Sequence, residues 1–254
     1  MSPIQRAVAV VTGASRGLGK DVAEALAARG AQVIPVARTA EKFRVDVTDP
    51  EQVAGLAREV EQAFGPPTIL VNAAGRFGPL ERFRDTDPAA WVDTMMVDAI
   101  GPYLTCRAFV GGMLDAGWGR IVNVSSAASL HQPAAIASAY ATAKTALNQL
   151  TRHLAADLEG TGVTANVIHP GDVKTAMWAE IRAEADRLGQ EATLLSDWAD
   201  WVDKTGGDPP SKAVDLVLRI IESNVNGQFL WIDDPLRPPI PSWGTETGTQ
   251  PWQS

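Results

Sequence analysis

Residues 140–144, Tyr-Ala-Thr-Ala-Lys, set a phenol and an ammonium one helical turn apart. On a helix such positions share a face. Alone, the pair suits either a solvated face with a snorkelling lysine or an acid–base centre. In the second case the ammonium lowers a phenol pKa from about 10 toward the working range. A hydroxyl pair, Ser125 and Ser126, ends an apolar run at 121–124. A third cluster, Thr-Gly-Ala-Ser-Arg-Gly-Leu-Gly at 12–19, follows the apolar run Ala7–Val11 and precedes a helical pattern. Gly13, Gly17 and Gly19 let the backbone turn tightly and approach a ligand, and the helix N-terminus then offers free N–H groups to a pyrophosphate. The plain alternative is a tight turn with no ligand.

These groups need elements to hold them. Strands are predicted at Ala7–Val11, Gln32–Val36, Phe43–Val45, Thr68–Val71, Arg120–Val124, Val163–Ile168 and Phe229–Ile232. Helices are predicted over Ser15–Arg29, Glu51–Phe64, Pro88 to about Ala116, Ser138–Glu159 and Pro210–Ser223, with Gly30 as a C-terminal stop. The alternation indicates parallel βαβ units with helices on both sheet faces. Two regions break the rhythm: 175–208, rich in Trp and Ala, and the Pro/Trp-rich tail 233–254. The second strand ends Val-Ala-Arg-Thr. Ala37 leaves no carboxylate for a ribose 2′-hydroxyl, whereas Arg38, with Arg16 from the glycine turn, suits a 2′-phosphate. That favours NADP(H) over NAD(H).

A chain of 254 residues, 45% hydrophobic, suffices for one large α/β domain. A net charge of −8 and the absence of a basic stripe argue against nucleic acid and anionic membrane as partners. No signal peptide or membrane span is read, and the single cysteine, Cys106, fits a cytoplasmic setting. His131, His153 and His169 lack metal-ligand spacing, so no metal is expected.

With TGASRGLG (12–19), NAAG (72–75), IVNVSS (121–126), YATAK (140–144) and HPGDVKT (169–175) in this order, the chain resembles the classical short-chain dehydrogenase/reductases over about residues 5–232. The resemblance implies a Rossmann-like, doubly wound, seven-stranded mainly parallel sheet in a single catalytic domain, 1–232, with 175–208 as a substrate lid. It implies carbonyl/alcohol chemistry on a nicotinamide cofactor. Tyr140 would be the acid/base, and Lys144 would tune it and hold the nicotinamide ribose. Ser126 would hold the substrate oxygen, with Ser125 in reserve, because the family's serine position falls at Ala127 and a longer loop moves the role back. Asp98 stands where many members have an asparagine. It would bind a water, pair with Lys144, or simply sit in a helix kink. Cofactor contacts are implied for Gly13, Ser15, Arg16, Gly17, Leu18, Gly19, Arg38, Asp46, Val47, Asn72, Ala73, Gly75, Pro170, Gly171, Val173 and Thr175. Asp46 would meet the adenine or serve as a turn residue.

Substrate contacts are expected from Ser126, Tyr140, His131 and Trp178. Met177, Trp178, Leu194, Leu195, Trp198 and Trp201 make the lid apolar, either over a hydrophobic ketone or packed on its own domain. The expectation is an NADPH-dependent carbonyl reductase, reversible as an alcohol dehydrogenase, on a small-molecule substrate. Two alternatives stand beside it: a 3-oxoacyl-thioester reductase, and an NADP-binding scaffold without turnover. By resemblance, a homodimer or homotetramer is expected.

Overall fold

The computed structural model describes residues 2–130 and 135–232. His131 and the tail from 233 onward lie outside the described residues. The strands are β1 (Val8–Thr12), β2 (Gln32–Ala37), β3 (Phe43–Arg44), β4 (Ile69–Asn72), β5 (Gly119–Val124), β6 (Val163–His169) and β7 (Phe229–Trp231). They form one seven-stranded sheet in the order β3-β2-β1-β4-β5-β6-β7, and every paired neighbour is parallel. The helices are α1 (Gly17–Ala28), α2 (Pro50–Phe64), α3 (Pro88–Met95), α4 (Gly101–Asp115), α5 (Ser138–Asp157), α6 (Ala176–Leu188), α7 (Thr193–Thr205) and α8 (Pro210–Ile221).

Alternate side chains of β1 point to opposite faces, and both faces are buried. Ala9 and Val11 join Val22 and Leu26 of α1 and Leu216 and Ile220 of α8. Val8 and Val10 join Val53 and Leu56 of α2 and Phe109 and Met113 of α4. This two-sided core explains why the strands read as continuous apolar runs. Chain order reverses between β1 and β4, so a crevice opens beyond their C-terminal ends. The glycine turn and the NAAG loop both lead out there. Buried side chains tie these ends together: Asn72 Nδ2 donates to Asn123 Oδ1 (2.9 Å), Asn123 Nδ2 to Thr151 Oγ1 (2.8 Å) and Thr105 Oγ1 to Asn72 Oδ1 (2.8 Å).

The structure departs from expectation in three places. Helix α1 starts at Gly17 rather than Ser15, because Gly17 is left-handed (φ 55°) and Arg16 is still extended. The region 175–208, to which the sequence pattern assigns no elements, forms two helices, α6 and α7, joined by a short 3-10 turn at Gly189–Ala192. Its apolar residues follow helical spacing once Thr175 is seen to cap α6 by accepting from the Trp178 N–H. The long helix after Pro88 is interrupted by a π turn at Met96–Ile100. Pro102 has no N–H to give the Asp98 carbonyl, and the Gly101 N–H bonds to the Met96 carbonyl instead.

Candidate active site

Helix α5 packs against the π turn and against the segment that follows β5. That packing brings Tyr140, Lys144, Ser126 and Asp98 to one end of the sheet. Tyr140 and Lys144 are both buried, and the Lys144 Nζ lies 5.6 Å from the centre of the Tyr140 ring. This ammonium also donates to the Val124 carbonyl at 3.1 Å and stands 3.6 Å from Asp98 Oδ2. The π turn puts Asp98 fully inside, where Oδ1 accepts the Arg76 backbone N–H at 2.9 Å and Oδ2 has no hydrogen-bond donor. Asp98 thus sits in the helix interruption and pairs directly with Lys144.

The two serines separate cleanly. Ser125 is buried and donates to the Lys144 carbonyl at 3.4 Å, so its hydroxyl is spent on the helix backbone. Ser126 faces the Tyr140 phenol and favours its ionised form. Its loop is held from several sides: the Ser126 hydroxyl accepts from the Ala128 N–H, and the Ser129 hydroxyl donates to the Ser126 carbonyl at 2.6 Å. Asn148 of α5 donates to Ser129, and His169 Nδ1 accepts from the Ala127 N–H.

The phenol's proton affinity differs from the simple expectation. Burial pushes the Tyr140 pKa up, Lys144 pulls it down, Asp98 raises it again and Ser126 lowers it. The net direction is upward, because the ring is shut away from water and because the lysine's charge is partly matched by Asp98. Burial likewise raises Asp98, against the pull of Lys144.

On the dinucleotide side, Gly13 (φ 68°) brings its backbone so close to the NAAG loop that a Cβ would sit 2.7 Å from the Ala73 carbonyl oxygen. A Cβ on Gly19 would sit 2.5 Å from the Gly13 oxygen. Gly17, by contrast, faces open space. Helix α1 has no side-chain cap and no acid in its first turn, so its leading N–H groups stay available to an anion. By contrast, α2 is capped by Asp49 and carries Glu51. These features fit a dinucleotide pyrophosphate. Ser15 is exposed in the turn and Leu18 packs on the core. Arg38 closes the β2 edge, its carbonyl accepting from Arg44 Nε at 2.9 Å. Arg44, absent from the expected set, therefore adds a second guanidinium at that edge, whereas Arg16 pairs with Glu180 of α6 at 3.2 Å.

Some expected cofactor residues are engaged inside the protein. Both ends of the Asn72 amide serve the buried network, so that residue fixes the strand end. Val47 is buried beneath Gly101. Asp46 Oδ1 accepts from the Thr48 backbone and hydroxyl, which is the turn role. Thr175 caps α6. Gly75 lies against the Asp98–Lys144 pair. The turn after β6 holds Pro170, Gly171 and Val173, and Gly171 is left-handed (φ 82°) against Asp208.

Sequence patterns missed Phe77, which covers the Tyr140 ring at a centroid distance of 4.6 Å. Phe77 joins Leu80 and Ile136 with Met177 and Ile181 of α6 and Leu195 and Trp198 of α7 in one apolar cluster. Leu194 and Trp201 point to solvent. Trp178 is half-buried, its indole N–H enclosed without a partner. Among the described residues no helix is long and apolar enough to cross a membrane, and no group of His, Cys, Asp and Glu is set to hold a metal.

Comparison with known proteins agrees with this architecture. Residues 7–186 match the family model described as short chain dehydrogenase. Galactitol 2-dehydrogenase (L-tagatose-forming) of Cereibacter sphaeroides is 34% identical over 89% of this chain and 93% of its own length. The 3-oxoacyl-acyl-carrier-protein reductase FabG of Vibrio cholerae is 33% identical over 74% of this chain and 86% of its own. An actinorhodin polyketide ketoreductase variant solved with NADPH superposes with a TM-score of 0.79 at 26% identity, covering 91% of this chain and 97% of that one. With its parallel sheet, its glycine turn and the buried Tyr140–Lys144 pair beside Ser126, the chain belongs to the short-chain dehydrogenase/reductase family of oxidoreductases.

Proposed function

We propose that this protein is an NADPH-dependent carbonyl reductase, reversible as an alcohol dehydrogenase, acting on a hydrophobic ketone or secondary alcohol. The observation that carries it is the meeting of Tyr140, Lys144 and Ser126 beside an uncapped helix N-terminus flanked by arginines. The nicotinamide, when bound, supplies or accepts the hydride. The chain's own residues do the rest. Ser126 donates a hydrogen bond to the carbonyl oxygen and fixes its direction. The Tyr140 hydroxyl hands its proton to that oxygen as the carbonyl carbon is reduced, and in the reverse direction the phenolate takes it back. Lys144 lies against the phenol and stabilises the phenolate that remains. The apolar cluster around Phe77 and the lid keeps water from the oxygen and favours an apolar substituent there. Gly13, Gly17 and Gly19 would hold the pyrophosphate, and Arg38 with Arg16 a 2′-phosphate.

The preference for NADPH rests on Arg38, Arg16 and the missing carboxylate at Ala37. Fluorescence titration with NADPH and NADH tests it. A preference of about tenfold or more for NADPH, reduced in Arg38→Ala, is expected from one charge-assisted phosphate clamp. A preference for NADH would overturn the cofactor assignment. A 3-oxoacyl thioester is the second candidate substrate, favoured by the FabG relatives. Parallel assays of a simple hydrophobic ketone and a 3-oxoacyl thioester separate the two.

A further inference from the structure

Asp98 brings a buried carboxylate beside the Lys144–Tyr140 pair. A buried carboxylate costs several kcal/mol unless it is paired, and so does a buried ammonium. Here each answers the other: Asp98 Oδ2 lies 3.6 Å from Lys144 Nζ, with both side chains almost wholly enclosed. Oδ1 is steadied by the Arg76 N–H, while Oδ2 finds no donor besides the lysine. Among the described residues, the charged and titratable groups around it are few. Lys144 and Tyr140 face it from α5, and Arg76 faces it from the loop after β4. The Arg76 guanidinium is itself paired with Asp93 of α3. Among the described residues, Lys144 and Asp98 are the charged groups that act on the phenol, and Ser126 is the remaining polar group.

We infer that Asp98 is a positioning residue: it anchors Lys144 and offsets the lysine's field at Tyr140, keeping the phenol protonated and the site poised to donate a proton to a carbonyl. An asparagine in this place would carry no charge to offset the lysine's, and with its one amide oxygen on the Arg76 N–H it would leave the lysine without the second carboxylate oxygen. The tyrosine would then ionise more easily and serve alcohol oxidation better at neutral pH. The choice of acid over amide at one position thus sets which direction the site favours kinetically. This rests on the carbonyl-reductase reading for its biological sense, but not for its test.

The chain contains two tyrosines, Tyr103 and Tyr140. Tyr103 is well exposed, at 44%. Labelling the phenolic carbon of tyrosine with carbon-13 and following both resonances against pH reads Tyr140 directly, with Tyr103 as an internal control. Asp98→Asn keeps the shape and the acceptor for the Arg76 N–H. It is expected to move the Tyr140 midpoint to lower pH by about one unit or more, the usual reach of one nearby charge. Asp98→Ser, a smaller neutral replacement, is expected to move it the same way. In turnover assays the alkaline limb of carbonyl reduction should fall with it. A Tyr140 midpoint that stays or rises in both variants overturns the inference, whatever happens to the rate. Because the titration needs neither substrate nor cofactor, the two failures are distinguishable. A shifted midpoint in a protein that reduces no ketone sinks the carbonyl-reductase reading alone. An unshifted midpoint in an active enzyme sinks this inference alone.

Discussion

Phe77 lies over the ring of Tyr140, with centroids 4.6 Å apart and planes tilted by 31°. One residue from the loop after β4 therefore shields the phenol and at the same time belongs to the apolar cluster that includes α6 and α7. The loop after β4, helix α5 and, through that cluster, α6 and α7 come together around Phe77.

Replacing Phe77 with alanine should loosen that junction. The phenol would gain water, and its upward shift, caused first by burial, would shrink. The alkaline limb of reduction should move to lower pH. Loss of the aromatic pair and its packing is worth about 1–3 kcal/mol at this half-buried position. A melting curve and a pH–rate profile measured together check both effects. An unchanged alkaline limb would show that Phe77 does not shield the phenol.

Tyr140→Phe removes the proton donor and leaves the ring contact in place. Carbonyl reduction should drop roughly a hundredfold to ten-thousandfold, while NADPH binding, followed by fluorescence, changes little. A parallel loss of binding would mean that the hydroxyl serves the fold or the cofactor and not proton transfer.

The glycine turn separates folding from binding. In Gly13→Ala the new Cβ would meet Ala74 N at 2.6 Å on a left-handed backbone, so the cost should be roughly 3 kcal/mol or more. In Gly17→Ala nothing lies within 4 Å, and only the left-handed strain of about 1 kcal/mol remains. If the pyrophosphate occupies that open space, Gly17→Ala should still fold yet bind NADPH at least tenfold more weakly. Calorimetry and fluorescence titration of the two variants decide the matter. Full-strength binding by Gly17→Ala would place the cofactor elsewhere.

Alkaline stability should report on Cys106. Burial pushes this thiol from 9.0 up to about 12. A neutral acid with a raised native pKa binds its proton more tightly folded than unfolded. Its stabilising effect is complete below the unfolded pKa and is lost as pH rises through the native one. Between pH 9 and 11 the loss should be on the order of 2–3 kcal/mol. Cys106→Ser keeps an acceptor for the Asn72 amide and lacks a thiol to titrate. Its stability should fall less steeply over that interval in denaturant unfolding at stepped pH. Equal slopes would show that other groups set the alkaline limit.

The fold was legible because local patterns and long-range packing agree. Ala9 and Val11 are buried against α1 and α8, while Val8 and Val10 are buried against α2 and α4, so a plain apolar run already meant a strand covered on both faces. Lid helices α6 and α7 were obscured because their apolar positions are partly occupied by exposed side chains such as Leu194 and Trp201. The π turn was hidden too: Pro102 removes a donor, but only the packing of α5 against that turn gives the resulting bulge a use.

At the site, residue types and spacing alone determined the phenol–ammonium pair, the glycine turn and the basic end of β2, since each depends on chemistry within a few residues. Tertiary structure decided the rest. It spent the Ser125 hydroxyl on the Lys144 carbonyl and left Ser126, already preferred by resemblance, next to Tyr140. It paired Asp98 with Lys144 across two helices. It also buried Tyr140, with Phe77 against its ring, and that burial is the first cause of the phenol's upward shift. Desolvation and the field of a distant charge depend on what surrounds a group in space, and neighbours along the chain do not specify that.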